Sequence, residues 1–272
     1  MDALSLADAM SDREVVSPWL AVLTTTKRTQ YIRGTLEAID AAGGAVFRGN
    51  RVVFVDGPMS QAPSVAAQGW AAINVSGGGP ARGTRRALWR VLHLAAVARV
   101  PYLLFFEDDV RMSRHAVQAM AAIRVPAGLG FLTFCNQKAG LPATPSAPAR
   151  IYERQAAAPN NAPGHWGNQA LKIPDRSLAL FRFPSTEPID EYPFASDVWL
   201  GKQLRSYGIV LPSIVRHIGD ETTIPCQAGM GIDGHRGGLN YAGDDFEALQ
   251  FVATLGARGH VHLKVFNEPG GK

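Results

Sequence analysis

Short apolar runs and longer amphipathic stretches follow one another along the first half of the chain. Three of the apolar runs predict buried strands, at residues 19–23, 51–55 and, more weakly, 71–75. Two stretches with apolar residues at helical spacing predict helices, one ending at Gly43 and Gly44 and one running from residue 80 to about 99. Repeated strand and helix units predict an α/β fold with a mainly parallel central sheet flanked by helices.

Within residues 102–111, a fourth apolar run ends directly in Glu107, Asp108 and Asp109. The run predicts a strand buried on both faces, and crowding acids at its end is costly unless a cation or a partner compensates. Alternation along a strand would direct Glu107 and Asp109 to one side and Asp108 to the other. Such hard oxygen ligands suit Mg²⁺ or Mn²⁺, which in turn suit the phosphates of a nucleotide. The alternative is an acidic turn that simply ends the strand.

The second half of the chain has a different pattern. Residues 137–170 are rich in Pro, Ala and Asn, which predicts a long loop that faces the substrate. Further elements are predicted after this loop: a strand at 178–183, a helix at 195–207, short strands at 209–211 and 213–217, and a glycine-dense loop at 229–243. Because no repeat or linker divides the chain, residues 1–272 are predicted to form a single domain.

Composition narrows the class of protein. The 272 residues are 46% hydrophobic and 18% charged, which excludes a disordered chain. A net charge of +4 permits an anionic substrate such as a nucleotide or DNA. Cys135 and Cys226 match no metal or redox spacing, so reduced thiols are predicted, with a disulfide left open. The acidic N-terminal segment and the lack of an apolar window of about 18 residues predict no membrane span and a cytoplasmic location.

Arginines recur on the helix predicted from residue 80. Arg82, Arg86 and Arg90 lie four residues apart and would line one face. Like charges at this spacing repel by about 0.2–0.5 kcal/mol per pair, so the stripe favours an anion such as a diphosphate as its partner. The alternative is a solvated basic face.

Three further residues are candidates for chemistry. Asp197 would begin a helix, where it could accept a proton as a general base or only stabilise the first turn. His217 closes a short apolar strand and could bind a metal or a diphosphate, or hold a structural hydrogen bond. Trp166 lies beside amide side chains and could stack on a sugar or simply be buried.

The motifs occur in a particular order along the chain. They are Thr24-Thr-Thr-Lys-Arg28, Val55-Asp56-Gly57, the arginine-bearing helix, Phe105-Phe-Glu-Asp-Asp-Val110, Trp166-Gly-Asn-Gln-Ala170, Ser196-Asp197 and Pro212-Ser-Ile-Val-Arg-His-Ile-Gly219. This order, over roughly residues 19–250, resembles that of nucleotide-sugar-dependent glycosyltransferases with the GT-A fold. The last motif is similar to an element of several sugar-transferring families.

The resemblance implies a role for each candidate. Asp109 would be the main ligand of Mn²⁺ or Mg²⁺, assisted by Glu107 and completed by His217. The donor, with a UDP-sugar favoured, would be bound by Thr24, Thr26, Arg28, Asp56, Arg82, Arg86, Asp108 and Trp166. Within this set Asp56 would contact the base, and Asp108 the ribose or the sugar. Asp197 would be the general base if the enzyme inverts the anomeric configuration, which is slightly favoured, whereas a retaining enzyme would need no such base. The Glu-Asp-Asp signature departs from the familiar Asp-x-Asp, which leaves open whether Glu107 contacts the metal directly or through water.

The resemblance also divides the predicted domain. Residues 18–135 would bind the nucleotide sugar, and residues 136–265, with the long loop 137–170, would bind the acceptor. The acceptor would be a saccharide or glycan, or a hydroxymethylated base in DNA. Two other functions stay open: a nucleotidyltransferase that makes nucleoside-diphosphate sugars, and a non-catalytic carbohydrate-binding or scaffold protein.

Overall fold

The computed structural model describes residues 17–26, 29–58, 65, 68–75, 80–135, 148–155, 167–183, 196–219 and 241–256, with backbone alone at 80–84 and 155. The strands are β1 (Trp19–Thr25), β2 (Arg51–Asp56), β3 (Ala71–Asn74), β4 (Tyr102–Glu107), β5 (Val110–Met112), β6 (Phe131–Thr133), β7 (Arg150–Gln155), β8 (Ala170–Pro174), β9 (Ser206–Leu211) and β10 (Val215–His217). The helices are α1 (Thr29–Ala41), α2 (Pro80–Val97), α3 (Ala116–Ala122), α4 (Asp175–Leu178), α5 (Ser196–Leu204) and α6 (Leu249–Gly256).

A sheet of eight strands, in the order β3-β2-β1-β4-β8-β6-β9-β7, forms the centre of the described fold. Strands β3, β2, β1 and β4 pair in parallel, and so do β6 and β9. Strands β8 and β7 run in the opposite direction to their neighbours. The predicted fold class, an α/β domain with a mostly parallel central sheet flanked by helices, is therefore confirmed.

Alternating burial along the strands places a hydrophobic core on each face of the sheet. In β1, Leu20 and Val22 join the core that contains the α1 residues Ile32, Leu36 and Ile39. The intervening residues Ala21 and Leu23 join the core that contains Leu88 and Leu92 of α2. Because both faces are covered by helices, β1 can be apolar at almost every position, as is typical of parallel strands.

A second, two-stranded sheet lies directly after the acid-tipped strand. Only Asp108 and Asp109 separate β4 from β5, and β5 pairs antiparallel with β10. In this pairing His217 lies opposite Val110. The small sheet therefore brings the end of the Pro212–Gly219 segment next to the acids.

The prediction of a strand at residues 178–183 is wrong. The chain there forms helix α4 followed by a 3₁₀ turn at Ala179–Phe181, and the strand lies earlier, at β8. Leu178 and Phe181 are buried whereas Leu180 and Phe183 are exposed. Burial every three residues is the helical spacing, and it shows that the apolar run is amphipathic instead of extended.

The prediction that residues 137–170 form only a loop is wrong for part of that range. Residues 150–155 form β7, which pairs antiparallel with β9 at the edge of the sheet. Pro148 and Pro159 flank this strand without interrupting it. An edge strand between prolines is compatible with a proline-rich segment, since the prolines fall outside the hydrogen-bonded positions.

Within the described ranges, no helix combines the length and the hydrophobicity that crossing a bilayer requires.

Candidate functional site

Asp109 and His217 meet at the junction of the two sheets. His217 Nε2 lies 2.7 Å from Asp109 Oδ2, and the Asp109 side chain has no exposed surface. The Ile218 N–H donates a hydrogen bond of 2.8 Å to the Asp109 carbonyl oxygen, so the backbones are joined as well. A carboxylate and an imidazole separated by 108 positions in sequence thus converge on one point.

Asp108 points to a different part of the structure. Its Oδ2 accepts a hydrogen bond of 2.6 Å from the hydroxyl of Thr24, at the end of β1. Thr24 and Asp108 are both 3% exposed. Asp108 and Thr24, which were predicted to contact the donor, therefore bond to each other in this structure, and their donor contacts stay a prediction.

A threonine of α1 holds the backbone on both sides of Asp109. Thr35 is fully buried, and its hydroxyl donates 2.6 Å to the Asp108 carbonyl oxygen and accepts 3.2 Å from the Val110 N–H. Sequence reasoning missed this residue. The available signal is a polar residue on the apolar face of a helix, next to Leu36 and one turn after Ile32.

Glu107 is directed towards β8. Its Oε2 accepts a hydrogen bond of 2.9 Å from Gln169 Nε2, and its backbone N–H donates 3.2 Å to the Gln169 carbonyl oxygen. Since β4 ends at Glu107, the strict alternation expected for the three acids does not extend through Asp109. Each of the three acids accepts a side-chain hydrogen bond from, or contacts, a residue in a different part of the chain: Gln169, Thr24 and His217.

Asp197 lies in the first turn of α5. Its Oδ2 accepts a hydrogen bond of 2.7 Å from the Gly167 N–H, and its Oδ1 accepts one of 2.7 Å from the Val198 N–H. The neighbouring Ser196 hydroxyl accepts 3.2 Å from Asn168 Nδ2. Residues 167–169 therefore contact Asp197 and Ser196 at one end and Glu107 at the other.

The end of β2 lies beside the end of β1. Thr25 pairs with Asp56, and the Thr26 N–H donates a hydrogen bond of 3.4 Å to the Asp56 carbonyl oxygen. Gly57 has φ +146°, and a Cβ at this position would lie 2.3 Å from Thr26 Oγ1. The close approach of Thr26 requires glycine at position 57. Two of the predicted donor-binding residues, Thr26 and Asp56, are therefore neighbours at one sheet edge.

The arginine helix shows a mixed pattern. Arg85 is 6% exposed, Arg86 is half-buried and Arg90 is exposed. Three predicted donor contacts, Arg28, the side chain of Arg82 and Trp166, lie outside the described residues. Their roles stay predictions.

The carboxylate ligands at this site suit a cation that is shared with a substrate. Among the residues that the structure describes, no group of three His, Cys, Asp or Glu side chains is arranged to hold a metal. Mg²⁺ and Mn²⁺ sites that serve phosphates use one or two protein ligands, and phosphate and water oxygens complete the shell. Asp109 supplies one such carboxylate, and the roles of His217 and Glu107 as ligands stay predictions.

Cys135 lies near this site but is an unsuitable ligand. The thiol is completely buried, and burial raises its pKa to about 12, with smaller upward contributions from Glu107 and Asp109. At neutral pH it is therefore a protonated thiol in the absence of a metal, and a soft sulfur ligand suits Mg²⁺ or Mn²⁺ less well than a carboxylate. Cys226 lies outside the described residues.

Comparisons with known proteins give structural neighbours only. No protein-family model and no curated protein matches the chain. One similar solved structure is residues 1–349 of S. aureus TarS, at 15% identity and a TM-score of 0.43, covering 71% of this chain and 57% of that one. Another is the galactosyltransferase LgtC in complex with donor and acceptor sugar analogues, at 12% identity and a TM-score of 0.40, covering 68% of this chain and 70% of that one. This chain thus spans little more than half the length of the TarS structure.

Proposed function

We propose that this chain is a glycosyltransferase that moves a sugar from a nucleoside-diphosphate sugar to an acceptor hydroxyl, with Mn²⁺ or Mg²⁺ at Asp109 and His217. The observation that carries the proposal is the contact of 2.7 Å between the fully buried Asp109 carboxylate and His217. The contact lies beyond the carboxyl end of a parallel strand, where open α/β sheets bind their ligands.

The same sheet edge offers groups for the rest of the donor. Thr26 and Asp56 lie side by side where β1 and β2 end, and β1 is the strand between β2 and β4. Arg86 of α2 is half-buried and carries positive charge for a diphosphate. A nucleotide bound along this edge would extend from Asp56 towards Asp109.

The chemistry follows from the leaving group. Transfer breaks the bond between the anomeric carbon and the phosphate oxygen, and negative charge develops on the nucleoside diphosphate. A bound divalent cation would neutralise part of that charge. Asp109 and His217 would bind the cation from the protein side, with the backbone held by the Ile218 N–H at Asp109 and by the Thr35 hydroxyl at Asp108.

Asp197 is the proposed general base. Its carboxylate is held by the Gly167 and Val198 N–H groups, and it would take the proton of the acceptor hydroxyl as that oxygen attacks the anomeric carbon. Attack from the face opposite the leaving diphosphate inverts the anomeric configuration. An inverting reaction is therefore proposed.

A UDP-sugar is the proposed donor, and the acceptor is a saccharide or a hydroxymethylated base in DNA. The net charge of +4 is compatible with both acceptors. DNA binding would weaken steeply with salt, because each phosphate contact releases counterions. Binding to a neutral saccharide would not show this dependence, so a salt titration separates the two.

A thermal unfolding assay tests the function. The protein is incubated with UDP-, GDP- and TDP-sugars, with Mn²⁺ or with EDTA. We expect stabilisation by a nucleotide sugar that requires Mn²⁺, is lost in Asp109→Asn and is retained in Asp175→Asn. Asp175 is a matched control because it is an exposed carboxylate in the first turn of α4.

Two results would redirect the proposal. Indifference of the wild-type protein to every donor, with and without Mn²⁺, would favour a carbohydrate-binding scaffold. Formation of a nucleotide sugar from a nucleoside triphosphate and a sugar phosphate would show a nucleotidyltransferase.

A further inference from the structure

Two buried amide side chains lie beside the proposed site, and each has an oxygen atom without a hydrogen-bond partner among the described residues. Asn168 is 2% exposed and Gln169 is 6% exposed. Asn168 Oδ1 and Gln169 Oε1 are buried atoms that have no hydrogen-bond partner among the described residues. Buried polar atoms are nearly always hydrogen-bonded in folded proteins, so these two adjacent oxygens require a further donor, which is either water or a ligand.

The orientation of the Gln169 amide is determined by its neighbour. Gln169 Nε2 donates to Glu107 Oε2 at 2.9 Å, and an ionised carboxylate can only accept. The nitrogen must therefore face Glu107, which leaves the oxygen as the spare atom. A hydroxyl group is a donor that suits a spare carbonyl oxygen.

The Asn168 amide also has one polar end without a partner among the described residues, and as placed that end is Oδ1. Its Nδ2 donates to the Ser196 hydroxyl at 3.2 Å. A hydroxyl can donate or accept, but it occupies one end of the amide in either orientation. One polar end of Asn168 is left over in both cases.

The position of Asn168 and Gln169 in the fold indicates which part of a substrate they would bind. The Gly167 N–H binds Asp197, and Gln169 binds Glu107, so the two amides lie on the segment between the proposed base and the acid cluster. In a displacement reaction, the transferred sugar lies between the leaving diphosphate and the hydroxyl that the base activates.

We infer that Asn168 and Gln169 bind hydroxyl groups of the transferred sugar and select a donor that carries them. This inference rests on the proposed function. A donor that lacks the matching hydroxyl leaves a buried carbonyl oxygen unpaired, which costs about tenfold in affinity for each oxygen. Asn168 and Gln169 would thus distinguish a fully hydroxylated hexose from its deoxy analogues.

Calorimetry in the presence of Mn²⁺ tests the inference on the unmodified protein. The probes are UDP, UDP-glucose, UDP-galactose and the monodeoxy analogues of both sugars. We expect at least one monodeoxy analogue to bind about tenfold more weakly than its parent, with the affinity for UDP as the reference.

The variants Asn168→Leu and Gln169→Met attribute the effect to the two residues. Each removes the amide at similar volume. We expect Asn168→Leu to bind UDP within twofold of wild type and the parent nucleotide sugar about tenfold more weakly. For each variant, one monodeoxy analogue should bind as well as its parent nucleotide sugar. This analogue lacks the hydroxyl that the replaced amide would bind, so the variant makes that contact with neither sugar. Thermal unfolding verifies that the variants are folded.

The outcomes separate this inference from the proposed function. If every monodeoxy analogue binds wild type as tightly as its parent, water or the protein satisfies the two oxygens and the inference is wrong, while the function stands. If Asn168→Leu loses UDP and nucleotide sugar equally, its role is structural and the inference is also wrong. If wild type binds no nucleotide or nucleotide sugar, both proposals fail.

Discussion

Thr35 shows how one buried hydroxyl can position a site that it does not enter. It donates to the Asp108 carbonyl oxygen and accepts from the Val110 N–H, and these two groups flank Asp109. The residue belongs to α1, whose apolar face fixes the helix against the sheet. Packing of α1 therefore determines the direction in which Asp109 meets His217.

Replacing Thr35 should disturb both stability and the metal site. Thr35→Val keeps the shape but leaves the Asp108 carbonyl and the Val110 N–H without their partner, at a cost of about 1–3 kcal/mol. We expect urea unfolding to show this loss, together with weaker binding of UDP and Mn²⁺. Thr35→Ser retains the hydroxyl and should recover most of both properties. Equal loss in the two variants would assign the effect to packing alone.

Asp197 and Asp175 form a natural comparison. Each is an acid in the first turn of a helix and accepts the N–H of the next residue at 2.7 Å. Only Asp197 also accepts the Gly167 N–H. If Asp197 served as a helix-terminal residue alone, the two positions would respond alike to substitution.

The amide variants of these two acids test the general base. Asp197→Asn should lower the rate of sugar transfer by about 10²–10⁴-fold, because general base catalysis contributes that factor. Binding of UDP with Mn²⁺ should change little. Asp175→Asn should retain full transfer activity, as measured by release of UDP with an acceptor. Full activity in Asp197→Asn would remove Asp197 from the mechanism.

At the scale of elements, a buried lysine joins β8 to the end of α3. Lys172 Nζ donates to the carbonyl oxygens of Met120, Ala121 and Ile123 at 3.0, 2.6 and 2.7 Å. It also lies 4.2 Å from the centre of the Tyr102 ring. The ammonium thus satisfies carbonyl groups that the end of a short helix leaves without N–H partners.

Burial of Lys172 should make stability depend on pH. Desolvation lowers its pKa in the folded protein to about 7, from an ordinary value of 10.5. Between these values the unfolded chain binds more protons, so the free energy of unfolding rises with pH. Relative to Lys172→Met, wild type should gain up to about 1.4 kcal/mol per pH unit above about pH 7.

Urea unfolding of both proteins in steps from about pH 7 to about pH 9 measures this slope. A difference that does not change with pH would show that the three carbonyl groups hold the ammonium at its ordinary pKa.

The elements also show where sequence patterns suffice. Strands β1, β2 and β4 were predictable as unbroken apolar runs, and helices α1 and α2 because apolar residues recur at helical spacing over many residues. Residues 178–183 were assigned the wrong element because a run of six residues fits both spacings. The strand β7 was hidden by prolines that only flank it.

At the scale of the whole molecule, topology explains how much of the site was predictable. Parallel strands place their carboxyl ends at one edge, so the proximity of Thr26 and Asp56 follows from strand order alone. The approach of His217 to Asp109 depends on the small sheet of β5 and β10, which no local pattern encodes. That contact was expected only from the metal-binding chemistry of the two residue types and from the resemblance of motif order.

The separate directions of the three acids were not predictable either. They depend on Thr24, Gln169 and His217, which are far apart in sequence. A rule of strand alternation cannot include such partners. Local spacing therefore predicted that the acids matter, and tertiary contacts decide which of them faces a ligand.

The electron paramagnetic resonance signal of free Mn²⁺, measured in the presence of UDP, reports how much Mn²⁺ the protein binds. This measurement tests whether Asp109 and His217 hold a cation together with the nucleotide. We expect a single UDP-dependent Mn²⁺ site per chain, weakened at least tenfold in both Asp109→Asn and His217→Ala and unchanged in Asp175→Asn. Unaltered Mn²⁺ binding in Asp109→Asn and His217→Ala, or no UDP-dependent binding in wild type, would contradict this expectation.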